Sequence, residues 1–181
     1  MIVETWSHGC PTATSVGLAV AAACNGGRHV CVVPDERSRS EYLTTVVAVV
    51  DGEVETNTEI IIEEVAEKAV GKLEGIDFLV VDSRCSNAGQ VLRSVRMEST
   101  GGVLARKNVS GSSNGFRWSG VLGMGNRIAR SVFLPVGKGL DMAYVGENWS
   151  NDGGDRQPGQ KRGRWIRHVD KKSGEIHMFR G

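Results

Sequence analysis

The sequence predicts an α/β protein: a mostly parallel sheet with helices on both faces, closed by an antiparallel hairpin and followed by an appended C-terminal β-hairpin. Three observations carry this. Ile76 to Asp82 is a nearly all-apolar run ending in an acid, and a strand buried on both faces of a parallel sheet reads as continuous Val, Ile and Leu. Strand-like and helix-like segments alternate through the first hundred residues, the pattern of βαβ units. Further on, two apolar runs flank Gly137-Lys138-Gly139, a hairpin signature, and Asp82 stands where open α/β sheets place their ligands, outside the carboxyl ends of the strands.

Ile2 to Trp6 reads as the first strand. Pro11 and Thr12 open a helix that runs through Ala23, since proline suits a first helical position, and Asn25-Gly26-Gly27 stops it. His29 to Val33 is the second strand, ended by Pro34. The spacing predicts a helix over 38–50, a turn at Asp51-Gly52, a third strand over 60–62 and a helix over 63–73. After the strand that ends in Asp82 come a helix over 88–96 and a strand over 102–106. Residues 109–126 are rich in glycine and serine without apolar period and read as a flexible loop. Strands over 131–136 and 140–145 form the closing hairpin, 147–163 reads as a second flexible loop, and 165–169 with 176–179 form the appended hairpin. The 181 residues fit a single domain, 1–181, with no internal repeat.

Composition excludes several classes. With 22 basic and 21 acidic residues there is no overall charge to draw the chain to nucleic acid or to an anionic membrane. No apolar run approaches the roughly 18 residues of a membrane span, and the start lacks the basic and apolar regions of a signal peptide, so the chain reads as intracellular and cytoplasmic. The four cysteines show neither CxxC spacing nor the density of a disulfide scaffold. The basic tail interleaves Trp165, His168 and Phe179 with arginines and lysines, the composition of a single-stranded nucleic-acid surface. Alternation on a half-exposed strand accounts for the same residues, and no nucleic-acid partner is assigned.

In a doubly wound order the first and fourth strands are neighbours, so Ser7, His8 and Cys10 should share one rim with Asp82, Ser83, Arg84 and Cys85. Cys10 precedes a helix whose dipole lowers a thiol pKa, and with Cys85 it could form a regulatory disulfide. A His8, Cys10 and Asp82 hydrolase set lacks the glycine-flanked elbow that exposes a nucleophile, and no phosphate-binding glycine loop follows a strand.

Val3 to Ser7, Thr14 to Leu18, Phe78 to Asp82 and Arg164 to Asp170 together resemble, over nearly the whole chain, a plant family catalogued as a domain of unknown function and described as Rossmann-like and methyltransferase-like. More distantly, the chain resembles the class I O-methyltransferases that use S-adenosylmethionine, with Leu134 to Leu140 the nearest local match. The resemblance implies a Rossmann-like, methyltransferase-type sheet, S-adenosylmethionine as cofactor and a small hydroxylated acceptor. It implies cofactor contacts from Glu4, Trp6, Gly9, Asp35, Asp82 and Arg84, with Lys107 or His8 helping to remove the acceptor proton. Members of the plant family carry a further helical segment before the first strand, whose lack here would uncover part of the sheet or pocket.

Three departures bear on that expectation. Trp6 falls where the first glycine of the cofactor loop belongs, and its indole would fill the space of the cofactor's methionine part. Pro34 ends the second strand where an acid normally holds the ribose, leaving Asp35 or Glu36 to reach back. Asp82 and Asn108 match two ligands of the cation-dependent enzymes, but Lys107 replaces the acid between them and repels a divalent metal, so no metal is assigned. The alternative is a non-catalytic binding protein in which Trp6 has closed the cofactor site.

Overall fold

A computed structural model describes residues 1–47, 58–97, 101–109, 116–121, 127–146, 165–169 and 176–180. The expected helix end over 48–50, the turn at Asp51-Gly52, most of the 109–126 loop and the 147–163 loop lie outside the described residues. The first unit, residues 1–150, holds a seven-stranded sheet of order β3-β2-β1-β4-β5-β7-β6. Its strands are β1 (Ile2–Thr5), β2 (His29–Val33), β3 (Thr58–Ile62), β4 (Phe78–Asp82), β5 (Gly102–Lys107), β6 (Arg127–Leu134) and β7 (Leu140–Gly146). The first five are parallel, and β7 and then β6 add antiparallel. The second unit, residues 151–181, is the antiparallel pair β8 (Trp165–Val169) and β9 (Ile176–Arg180).

The strand order follows from burial. Val30, Val33, Leu79 and Val81 have no exposed surface and Val80 only 3%, as continuous apolar strands require when both faces are covered. On one face lie α1 (Ala13–Cys24) and α2 (Glu36–Tyr42); on the other, α3 (Ala66–Val70) and α4 (Ala88–Ser94). The larger core joins Leu79, Val81, Leu92, Leu104 and Ala143 beneath α3 and α4. A smaller one gathers Trp6, Cys31, Val33, Tyr42 and Val46 beneath α2.

Several expected elements change length: β3 begins at Thr58 rather than 60, and β6 spans Arg127–Leu134 rather than 131–136, because pairing with β2 and β7 extends them. The second helix starts earlier, at Glu36, because the Asp35 side chain accepts from the Ser38 amide at 2.7 Å and caps it. It then widens into a π-helical turn over Leu43–Val47, where the Thr44 and Thr45 hydroxyls donate to the carbonyls of Ser40 and Glu41. The third helix shrinks to five residues, since the Glu63 amide continues the sheet by donating to the Val33 carbonyl at 2.9 Å. Within the expected 109–126 loop, a short 3₁₀ turn at Trp118–Gly120 is packed. Trp118 is buried, donates its indole N–H to Asp141 at 2.9 Å and meets Phe116 edge-on. The Arg106 guanidinium lies 3.5 Å from the Phe116 ring centre and pins the same segment.

Candidate functional site

β1 and β4 are adjacent, and the chain leaves them in opposite lateral directions, β1 leading to β2 and β4 to β5, so a crevice opens at their carboxyl ends. A cavity of about 340 Å³ lies there, between Trp6 and Ser7 after β1, Pro34 after β2, Glu63 and Glu64 after β3, and Cys85 after β4. Asp82 closes β4 beside it. Its carboxylate is 1% exposed and takes hydrogen bonds from the Arg84 amide (3.0 Å), from Arg84 Nε (3.0 Å) and Nη2 (2.7 Å) and from Asn108 Nδ2 (2.8 Å). Burial alone would push this carboxyl up, but those four donors and the guanidinium charge hold it below the ordinary carboxylate range. The pairing correspondingly raises Arg84.

Asn108 follows β5 with φ 61°, a left-handed conformation that a residue other than glycine keeps only where its surroundings fix it. Here its bond to Asp82 does so. From Asp82 the network continues outward, since Arg84 Nη2 lies 3.5 Å from Cys10 Sγ, and Cys10 Sγ lies 3.5 Å from Ser7 Oγ. Of the expected rim of Ser7, His8, Cys10, Asp82, Ser83, Arg84 and Cys85, this network joins Ser7, Cys10, Asp82 and Arg84.

Other expected residues are placed differently. Trp6 does not plug the crevice. Strand alternation sends its indole to the α2 side of β1, where it packs edge-on against Tyr42 at 5.5 Å and is 2% exposed, so the residue borders the cavity where β1 ends while its ring is turned away from it. Glu4, two residues earlier on the same face, is fully buried. Ser15 Oγ and Tyr42 OH each donate to its carboxyl at 2.9 Å, and His29 Nε2 lies 3.3 Å away. Asp35 spends its carboxylate on the start of α2, and the Ser38 hydrogen bonds hold it below the ordinary range. His8 turns toward α2, with Nδ1 on Glu41 and Nε2 taking a 2.7 Å hydrogen bond from Arg37, which fixes the proton on Nδ1. Gly9, at φ 77°, donates its amide to the same Glu41. Lys107 is half-buried at the end of β5, on the far side of Asp82 from the crevice, where it lines a second cavity.

Sequence reasoning missed Tyr42, Glu41, Glu63 and Glu64. Ser38, Tyr42 and Val46, spaced by four and all buried, carried a readable signal for the first of these. The pair Glu63-Glu64 gave none, because its position depends on the register of β3 against β2.

All four cysteines are free thiols, and they differ in surroundings. Burial, and then the nearby Asp82 carboxylate, pushes Cys85 up, and burial pushes Cys31 well up. Timed alkylation followed by mass spectrometry should therefore label exposed Cys24 first, Cys10 before Cys85, and Cys31 only on unfolding. Labelling of Cys85 ahead of Cys10 would show that its thiol is activated rather than suppressed.

Among solved structures the fold is that of methyltransferases. A methyltransferase from Geobacter sulfurreducens matches with TM-score 0.55 at 16% identity, over 79% of this chain and 70% of its own. A putative caffeoyl-CoA O-methyltransferase from Staphylococcus aureus matches with TM-score 0.52 at 14%, over 80% and 75%. A Podospora anserina methyltransferase solved with S-adenosylhomocysteine matches with TM-score 0.57 at 13%, over 81% and 71%. At these identities the likeness establishes the methyltransferase-type Rossmann fold alone. No helix among the described residues is long and apolar enough to cross a membrane. No curated protein sequence matches. Residues 1–181, the whole chain, match the family described as "Protein of unknown function (DUF1442)", and the chain belongs to that family.

Proposed function

We propose that the protein binds S-adenosylmethionine in the crevice between β1 and β4 and methylates a small hydroxylated acceptor. The observation that carries this reading is the open 340 Å³ cavity at the switch point of a β3-β2-β1-β4-β5-β7-β6 sheet. The donor set fits a nucleoside. Glu63 or Glu64 offers the ribose the carboxylate that Pro34 cannot. Gly9, with its positive φ, lets the loop after β1 turn close to the ligand. Glu4 and Asp35 act from behind, Glu4 by fixing β1 against α1 and α2 and Asp35 by fixing the start of α2. Asp82 and Arg84 fix the end of β4 beside the cavity.

Bound there, S-adenosylmethionine supplies an electrophilic methyl group that the acceptor oxygen takes in line as the carbon–sulfur bond breaks. The chain's own part is to align that oxygen and receive its proton. Lys107, at the end of β5 beyond Asp82, is one candidate base; His8 can serve only after Arg37 releases Nε2. Arg84 holds the position beside Asp82 that a divalent metal would need, so this chemistry runs without one.

A non-catalytic reading is favoured by one observation, the commitment of the Glu4 and Asp82 carboxyls to partners within the protein. Isothermal titration calorimetry with S-adenosylmethionine and S-adenosylhomocysteine, with and without magnesium, separates the two. The expected result is saturable binding of both, unchanged by magnesium and weakened about tenfold or more in Glu63→Ala/Glu64→Ala, the size of a lost charge-assisted hydrogen bond. A folded sample that gives no heat with either ligand overturns the proposal and leaves the non-catalytic reading.

A further inference from the structure

The second cavity, about 420 Å³, lies on the α1 face of the sheet and belongs to no part of the crevice. Its floor is set by register. Val80 of β4 stands beside Ala105 of β5, which stands beside Met142 of β7, and one step further Asp82, Lys107 and Leu140 form the next row. Phe78, Val80, Ala105, Leu140 and Met142 make an apolar floor that α1 covers only along one side, through Thr14 and Leu18, with Pro11 ahead of the helix. A volume in the roughly 300–1,000 Å³ range of small-molecule sites, apolar walls and a few polar groups at one end make up the usual form of a ligand pocket.

The polar end is of one sign. Lys107 rises from the floor, and Lys138 stands on the turn between β6 and β7, while none of the lining residues is acidic. That turn is fixed rather than loose. Gly137 and Gly139 supply the positive φ values it needs (56° and 86°), the Gly139 amide donates to the Val136 carbonyl at 2.9 Å, and the Gly139 carbonyl accepts from Val109 at 3.2 Å. The last bond ties the turn that carries Lys138 to the segment that follows Lys107 and Asn108. Asn108 adds an amide at the same end, held by its left-handed backbone and its bond to Asp82. Asp82, which stands opposite Lys107 in the sheet, is engaged by Arg84 and Asn108, and among the described residues no carboxylate forms an ion pair with Lys107.

We propose that this cavity binds an apolar monocarboxylate, an aryl or acyl acid of about the size of a two-ring aromatic. Its hydrocarbon part lies on Leu18, Phe78, Val80 and Met142, and its carboxylate sits between Lys107 and Lys138. The inference does not rest on the cofactor reading, because no residue that lines the crevice takes part and no S-adenosylmethionine is required; Lys107 is the residue that both readings use.

The test is a titration of the full chain with 2-naphthoate, in the absence of S-adenosylmethionine, beside 2-naphthamide and 2-naphthylmethylamine. The three share one apolar body and differ in charge. Saturable binding of the naphthoate, at least tenfold tighter than of the amide and weakened at least tenfold in Lys107→Met/Lys138→Met, is the expected result, since two charge-assisted contacts are lost in the variant. Thr14→Trp, a change on the surface of α1 that fills the cavity mouth, should remove binding while leaving the thermal midpoint within a few degrees. Absence of saturable binding to folded protein, equal affinity for acid and amide, or an affinity that neither variant changes overturns the proposal. A failure here leaves the S-adenosylmethionine titration untouched, and the reverse holds equally.

Discussion

Replacing Glu4 by alanine should lower the unfolding free energy by about 3–5 kcal/mol, the range for removing one member of a fully buried carboxyl network. The size follows from what is left behind. Ser15 and Tyr42 each donate to this carboxyl at 2.9 Å with no solvent beside them, and His29 Nε2, 3.3 Å away, has no other partner. A buried donor that loses its acceptor costs more than the bond was worth in net stability, because water cannot replace it. The methylenes lost from beneath α1 and α2 add a cavity. Tyr42→Phe removes one donor only and should cost about 1–3 kcal/mol. Urea unfolding followed by circular dichroism measures both. A loss below about 1 kcal/mol for Glu4→Ala would mean that water enters the site and that the carboxyl is available to a ligand, restoring the direct cofactor role that the resemblance implied. The present geometry instead makes Glu4 the post on which β1, α1 and α2 are set, and any effect on nucleoside affinity should scale with the loss of stability.

The parallel sheet was legible because its signal is local. Leu79, Val80 and Val81 are apolar in succession because both faces of β4 are covered, and no distant contact is needed to see it. The closing hairpin was legible for the same reason, through glycines that its turn requires. The site was legible only in part. That Asp82, Arg84, Cys10 and Ser7 share a rim follows from strand order alone. Trp6 illustrates the competition between two signals: its place in the resembling motif puts it at the cofactor loop, whereas period-two alternation puts its ring on the face of Glu4, where it packs against Tyr42. Trp118 and Phe116 gave no signal at all. Their burial depends on Asp141 and Arg106, which are distant in sequence and adjacent only once β7 pairs with β5. The second cavity was hidden likewise, since apolar alternation says that a face needs cover without saying how much of it one helix will reach.

Asp82→Asn should cost about 1–3 kcal/mol at neutral pH and should remove a distinct acid-induced loss of stability. Asp82 is held below its ordinary pKa in the folded protein, so the unfolded chain takes up the proton first as pH falls. Its contribution is therefore complete above the ordinary carboxylate value and is lost as pH drops from there through the depressed folded value. Arg84 is 44% exposed, which places one end of the pair in screening solvent and keeps the figure below that of a wholly buried pair. Unfolding curves between pH 3 and pH 7 should converge for the two proteins at the acid end and separate toward neutrality; parallel curves would show that the Arg84 pairing adds nothing beyond hydrogen bonds that Asn can copy. The substitution also has a local effect. An amide at position 82 presents one acceptor oxygen where the carboxylate presents two, and Arg84 and Asn108 must then compete for it. Arg84 donates from both Nε and Nη2, so Asn108 is the partner that loses, and with it goes the restraint on its φ of 61°. Loosening Asn108 frees the end of β5 that presents Lys107. Asp82→Asn should consequently weaken naphthoate binding through Asn108 and Lys107 without substituting any residue that lines that cavity, a coupling between the end of β4 and the second site that runs through one amide.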